Sequence, residues 1–323
     1  MDVYRSTVNY LLRFPIFDSW PEMKTILQRA ASGAPRDWKL PVIACQAAGE
    51  SPEKAIPASA ALACAQLSII LVDDMLDDDP RGEYRRIGYG NASNFAIAFQ
   101  AAGMDALIGS DANASIRLEA LDSLNRMMLT TARGQELDIQ NPADESAYWR
   151  VVENKSAPFF GCAIYLGALL GEADISAARE LEKLGKLYGE MIQIHDDLND
   201  SMAIPANSDW LQGRKPLPIL FALSVDHPDR ARFAELYANI SVGNALAEAQ
   251  EILIRCGAVS YCVDQLLRRY QAGQDLLNRI PLPNKEIVVS LMETVVAPVW
   301  KLFEEMGLSS AIPPMAAWSS DWE

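Results

Sequence analysis

Histidine is nearly absent from this chain. Its 323 residues include two, His195 and His227, which nearly removes His-based triads, His-rich zinc sites and HExxH proteases from consideration. Cysteine is scarce as well. Cys45, Cys64, Cys162, Cys256 and Cys262 are odd in number, form no CxxC pair and sit mostly inside apolar segments. No disulfide framework is expected, and the thiols read as buried in a reducing, cytoplasmic setting. Positive charge is in deficit, with 28 Lys+Arg against 43 Asp+Glu and a net charge of −15. This charge argues against nucleic acid or anionic membrane as a main partner, although it does not exclude a local basic pocket. The N-terminal MDVYRSTVNYLLRF has an early acid and no signal-peptide core. No uninterrupted apolar run reaches the length of a membrane span. Strand-like alternation bounded by hairpin turns is missing too.

What remains is apolar and helical. Half the residues are hydrophobic, enough for a sizeable core. Leu181, Leu184, Leu187 and Tyr188, and later Val263, Leu266, Leu267 and Tyr270, recur at helical spacing. Long helices are expected over about Glu53–Asp78, Ala92–Ile108, Ser115–Ile139 and Ile175–Ser201. Glycines and prolines punctuate between them, and no Ser/Gly tract or repeat separates halves. The expectation is one all-α domain over residues 1–312. Residues 313–323, with Trp318 and Trp322, are expected to be a C-terminal extension, for which packing on the protein's own surface is favoured over a docking role.

Two acidic clusters stand out. Asp73-Asp74-Met75-Leu76-Asp77 follows the apolar run Leu67–Val72, and Asp196-Asp197-Leu198-Asn199-Asp200 follows Met191–Ile194. Each is a DDxxD on an expected helix, where the first and last Asp are i, i+4 neighbours on one face. Taken alone, a DDxxD in so acidic a chain is most often solvated helix surface. Two features shift the weight. Both clusters close long apolar stretches, so the carboxylates lie at the rim of a core, and crowded like charges raise one another's pKa unless a cation offsets them. Mg²⁺ fits, because it takes a few carboxylates and completes its shell with water and substrate phosphate. Two such clusters on facing helices would hold a polyphosphate through bridging metals.

A diphosphate also needs cations. Lys155 sits in Asn154-Lys155-Ser156-Ala157, and Arg214 and Lys215 follow Gly213. Arg36 and Lys39 lie in the stretch Gly33–Pro41, and Arg81, Arg85 and Arg86 follow the first cluster. For Arg85 and Arg86, surface solvation is the favoured reading.

With these residues in place, the chain resembles the trans-isoprenyl diphosphate synthases, the polyprenyl synthetase family. Gln66–Asp77 (QLSIILVDDMLD) resembles the first aspartate-rich motif, and Gly134–Ile139 (GQELDI) the GQxxDL segment. Tyr148 with Lys155-Ser156-Ala157 resembles Y…KTA, and Gly189–Asp200 (GEMIQIHDDLND) resembles GxxFQIxDDxxD. Ser208–Pro218 (SDWLQGRKPLP) resembles DLxxGKxTLP. The resemblance implies an all-helical bundle around a central apolar cavity, usually homodimeric, with three Mg²⁺ binding an allylic diphosphate. Asp73, Asp77 and Asp196 are implied as direct ligands, with Asp74, Asp197 and Asp200 assisting. Lys155, Gln193 and Arg214 would contact the allylic diphosphate; Arg36, Lys39, Gln66 and Arg81 fall at the isopentenyl diphosphate side. Ile69 and Ser68, four and five positions before Asp73, would by the same resemblance point down the cavity. Their modest size, with Ala65 and Ala61 deeper, leaves room for a product of about C20 or longer, although close helix packing explains the small residues almost as well.

The chain departs from the family in two places. Pro80-Arg81-Gly82 comes about two residues early with one arginine lost, and the basic loop reads Arg36-x-x-Lys39 rather than Gly-Lys-x-x-Arg. Both departures fall on the homoallylic side. A class I terpene synthase, or another enzyme that ionises an allylic diphosphate without extending it, is therefore the alternative. A non-catalytic synthase subunit ranks third, because both aspartate clusters are intact.

Overall fold

The computed structural model describes residues 1–305; the segment 313–323 read as an extension lies outside them. Of the described residues 78% are helical, and among them there is no strand. The helices are α1 (Val3–Leu11), α2 (Pro15–Ser19), α3 (Pro21–Ser32), α4 (Leu40–Ala47), α5 (Ile56–Leu76), α6 (Tyr84–Ile87), α7 (Tyr89–Ile108), α8 (Ala114–Ile139) and α9 (Glu145–Lys155). They continue with α10 (Ala157–Leu170), α11 (Ile175–Met202), α12 (Ser208–Gln212), α13 (Leu217–Ser224), α14 (Arg230–Ala238), α15 (Ala245–Arg255), α16 (Ala258–Leu277) and α17 (Glu286–Glu305). Short 3₁₀ turns occupy Arg36–Lys39 and Pro52–Ala55. The four long helices expected from periodicity thus appear as α5, α7, α8 and α11, and Pro52 starts a 3₁₀ turn where a longer first helix was expected.

Two compact units make up the chain. The first comprises Met1–Ala132, Pro158–Lys186 and Leu277–Val288; the second comprises Arg133–Ala157, Leu187–Leu276 and the described residues from Val289 on. Every boundary falls inside a helix, which is why no linker-like composition marks it in the sequence.

In the first unit α5 is the core helix. Its residues from Ile56 to Ala65 are all buried, so it is apolar on every side rather than amphipathic. Small side chains such as Ala58, Ala61, Cys64 and Ala65 let it lie close to neighbours; α7 is its main one, with α1 and α4 beside it. The stretch Pro52–Leu76 is by length and composition apolar enough to cross a membrane, contrary to the expectation that no run reaches that length. Of that window, 72% is buried inside the protein, and a central helix of a folded core reads the same way.

The second unit has its own apolar cluster. Trp210 of α12, Ile219 of α13, Phe233 and Leu236 of α14 and Ile252 and Leu253 of α15 are buried together. Fully burying each such side chain contributes roughly 1.5–3 kcal/mol. This packing fixes the segment between α11 and α13, which carries Gly213 and Arg214.

Candidate active site

The first aspartate cluster closes α5. Asp73 and Asp74 lie in its last turn and Asp77 is its C-cap, with the Asp77 N–H bonded to the Asp73 carbonyl at 2.9 Å. The second cluster lies in the last two turns of α11. Both sets of carboxylates therefore sit at the negative end of a helix dipole, where anions are disfavoured by about 0.3–1 kcal/mol each. Hard oxygen donors crowded in such a field suit Mg²⁺. Among the described residues no three His, Cys, Asp or Glu side chains converge as a ready-made metal cage. A metal that keeps water and substrate oxygens in its shell does not require one.

The aspartates divide by position on their helices. On α11 the buried stripe runs Ala178, Leu181, Leu184, Tyr188, Met191, Ile194, Asp197 and Ser201, a helical repeat that carries Asp197 inward. Asp196 and Asp200 are exposed. One Asp197 oxygen accepts from the Tyr148 hydroxyl and from the Leu217 N–H, each at 2.7 Å. The other accepts from the Gln193 amide at 2.8 Å. Burial pushes the Asp197 carboxyl up to about 7 against the pull of those donors. Asp197 therefore ties α9, α11 and α13 together instead of offering an open oxygen to a metal. Asp74 behaves similarly in its own unit. Burial, then the Asp79 and Asp73 charges, raise it to about 6, and the Glu83 N–H donates to it.

The chain around the first cluster is heavily paired. Asp78, in the left-handed region at φ 52°, accepts from the Tyr84 hydroxyl at 2.8 Å and the Arg85 guanidinium at 2.6 Å. Asp79 accepts from the Arg81 N–H at 2.7 Å and its guanidinium at 2.9 Å. Glu83 receives Arg29 and Arg86, both at 2.5 Å. Each arginine after the motif thus has an acid within its own loop, and Arg85 and Arg86 are ion-paired rather than merely solvated. These pairs are exposed, with Arg81 87% accessible, and such bridges contribute little stability.

Of the residues assigned to the isopentenyl side, Arg36, Lys39 and Gln66 lie together, whereas Arg81 is paired with Asp79 in its own loop. Gln66 on α5 accepts from the Trp38 indole N–H at 2.7 Å and donates to Asp37 at 2.8 Å. It thereby pins the 3₁₀ turn that carries Arg36 and Lys39 at its two ends. The Lys39 ammonium lies 5.7 Å from the centre of the Tyr4 ring, a cation–π distance. Between Gln66 and Asp73 on α5, Ser68 is buried and Ile69 half-buried.

In the second unit Lys155 ends α9 and bonds Asp138 of α8 at 2.5 Å. Its neighbour Ser156 donates to the Gln193 carbonyl oxygen at 2.5 Å, so the Gln193 amide is fixed at both ends, by Ser156 and Asp197. Gly213 adopts φ 70°, a left-handed conformation that glycine accepts without strain, and turns the chain so that Arg214 follows. Arg214 donates to the Asp138 carbonyl at 3.1 Å, and its own carbonyl accepts from Tyr237 at 2.6 Å. The structure brings Lys155 and Arg214 to one place, and Gln193 with Asp197 to another. Tyr148 and Ser156 belong to the second network and were absent from the candidate residues. Their signal was present: Tyr148 stands seven positions before Lys155, two turns up α9, and Asp197 continues the apolar stripe of α11.

An all-helical fold with aspartate-rich ends on two long helices, and a lysine and an arginine gathered near one of them, defines the class of isoprenoid-diphosphate enzymes. The polyprenyl synthetase profile matches residues 38–253, and the chain belongs to that family. It is a prenyltransferase. A geranylgeranyl diphosphate synthase of Methanosarcina mazei is 24% identical over 284 residues, covering 79% of this chain and 83% of that protein. Among solved structures, a decaprenyl diphosphate synthase from Rhodobacter capsulatus matches with a TM-score of 0.79 at 17% identity, over 92% of this chain and 96% of that one. A polyprenyl synthase from Caulobacter crescentus, complexed with calcium and isoprenyl diphosphate, matches at TM-score 0.72 and 20% identity, over 90% and 97%.

Proposed function

We propose that this chain condenses an allylic diphosphate with isopentenyl diphosphate, in the presence of Mg²⁺, to an isoprenyl diphosphate of about C20 or longer. The observation that carries this reading is the pair of aspartate clusters at the negative ends of α5 and α11. Asp73, Asp77 and Asp196 are the proposed metal ligands. Asp200 assists, and Asp74 and Asp197 hold the helix ends. Bound Mg²⁺ supplies charge stabilisation for the departing pyrophosphate. Lys155, Gln193 and Arg214 hold the allylic diphosphate; Arg36 and Lys39, on the turn that Gln66 pins, meet the isopentenyl diphosphate. The apolar stretch of α5 before Asp73 shields the allylic cation from water. Pyrophosphate takes the released proton, so the scheme needs no histidine.

Two copies of the chain form the working enzyme in this proposal. Exposed Ile97 on α7 and Leu118 and Leu129 on α8, each at least 65% accessible, supply apolar surface for such contact. Five free cysteines, four of them buried, suit a cytoplasmic location.

Incubation with farnesyl diphosphate, with and without isopentenyl diphosphate, tests the function. A longer diphosphate appearing only with the C5 partner and Mg²⁺ is expected; a hydrocarbon or alcohol formed without it would establish ionisation without elongation instead. Product length is tested by Ser68→Phe. A ring at this buried position on α5 is expected to shorten the dominant product by at least one C5 unit, read by chromatography after dephosphorylation. An unchanged product would remove Ser68 from the chain-length site.

A further inference from the structure

Asp138 is a carboxylate that no part of the proposed reaction has used. It lies near the end of α8, and its side chain is 25% accessible. The Lys155 ammonium stands 2.5 Å from its Oδ2, and an Arg214 guanidinium nitrogen 3.9 Å from the same oxygen. That guanidinium also donates to the Asp138 backbone carbonyl at 3.1 Å. Two cations from segments 59 positions apart in sequence thus share one residue. Both are themselves mostly buried, at 22% and 19% accessible.

The surroundings are built to keep them there. Gly134, one turn before Asp138, faces the backbone of α9 so closely that a Cβ would run into the Asn154 carbonyl carbon and the Lys155 amide nitrogen. Asn141, three residues after Asp138, donates to the Gly213 carbonyl at 2.7 Å and so fastens the turn that delivers Arg214. Tyr237 holds the Arg214 carbonyl from the other side at 2.6 Å.

We propose that Asp138 is a positioning residue for the leaving diphosphate: its carboxylate holds Lys155 and Arg214 together so that the substrate meets two cations already in place. Without it, two like charges in a half-buried setting repel each other, and two long side chains regain their rotamer freedom. An ammonium carries three donors and a guanidinium five, so one carboxylate can orient each without exhausting it. The proposal rests on the allylic diphosphate reading given above.

A double-mutant cycle separates positioning from simple support of the fold. Lys155→Ala is expected to lower kcat/KM for farnesyl diphosphate by about a hundredfold, and Asp138→Asn by about thirtyfold, the scale set by losing alignment of a reacting group. If Asp138 acts through Lys155, the double variant falls no more than about threefold below Lys155→Ala alone. Independent effects would multiply to about three-thousandfold, and that result overturns the proposal. Thermal melts report whether each variant folds, and Asp138→Glu replaces Asp138→Asn should the latter not fold. Failure of both to fold would make Asp138 a structural residue and overturn the proposal as well.

The same cycle is read by calorimetry with inorganic pyrophosphate and Mg²⁺, which needs no carbon–carbon bond. Non-additive pyrophosphate binding in a protein that does not elongate farnesyl diphosphate would sink the proposed function and uphold Asp138. Elongation with additive losses would sink Asp138 alone. Absence of coupling in both measurements overturns the role.

Discussion

Replacing Asp73 or Asp77 by Ala lowers turnover of an allylic diphosphate by at least about a thousandfold. Metal-borne charge stabilisation supplies several kcal/mol to the transition state, and each 1.36 kcal/mol is a factor of ten. Asp77 caps α5 through its backbone, which bonds the Asp73 carbonyl, and Ala keeps that bond. The change therefore falls on the carboxylates alone. Removing an acid from the negative end of α5 relieves an unfavourable dipole contact, so the thermal midpoint is expected to hold or rise slightly while activity collapses. Asp78→Ala is the matched control. Its carboxylate is taken by Tyr84 and Arg85, and its loss should cost less than tenfold. Steady-state rates across a Mg²⁺ titration check the comparison, and near-normal turnover in Asp73→Ala and Asp77→Ala would end the metal assignment.

Gly134→Ala is expected to impair both the fold and the reaction. Its Cβ would meet backbone atoms of Asn154 and Lys155, with the Asn154 carbonyl oxygen at 2.6 Å. Backbone cannot step aside as a flexible side chain can. Relief requires α8 and α9 to separate locally, and overpacking of this kind costs about 1–3 kcal/mol. The same movement carries Lys155 away from Asp138. A displacement of about 1 Å at a positioning group can lower a rate about a hundredfold. The expected result is a lowered thermal midpoint together with a loss in kcat/KM for farnesyl diphosphate well beyond what partial unfolding removes. Wild-type activity in the folded variant would show that the close approach does not govern Lys155.

Much of this architecture was legible because the signals were local. A 3.6-residue apolar repeat needs only the chain itself, and it placed α5, α7, α8 and α11 to within a few residues. The same repeat, followed three residues past Ile194, already carried Asp197 into the buried stripe. Treating the DDxxD as one unit hid that distinction. The arginines after the first cluster were harder. Arg85 read as solvated surface because nothing in its spacing announces Asp78, seven positions back; Arg86 stands i,i+3 to Glu83, a spacing that offered the pair, whereas Arg29 reaches Glu83 from 54 positions away.

By itself the sequence pointed to an all-helical prenyltransferase with two carboxylate clusters, each closing an apolar helix. Periodicity, helix termini and ordered motifs are properties of short segments, and they survive being read without a fold. Only the tertiary structure decided which side chains hold which. Asp138 lies 17 positions from Lys155 and 76 from Arg214, and nothing in either spacing predicts that both cations meet one residue. Such meetings depend on how closely helices pack. Here that closeness is set by a glycine with no Cβ at α8 and by a left-handed glycine before Arg214.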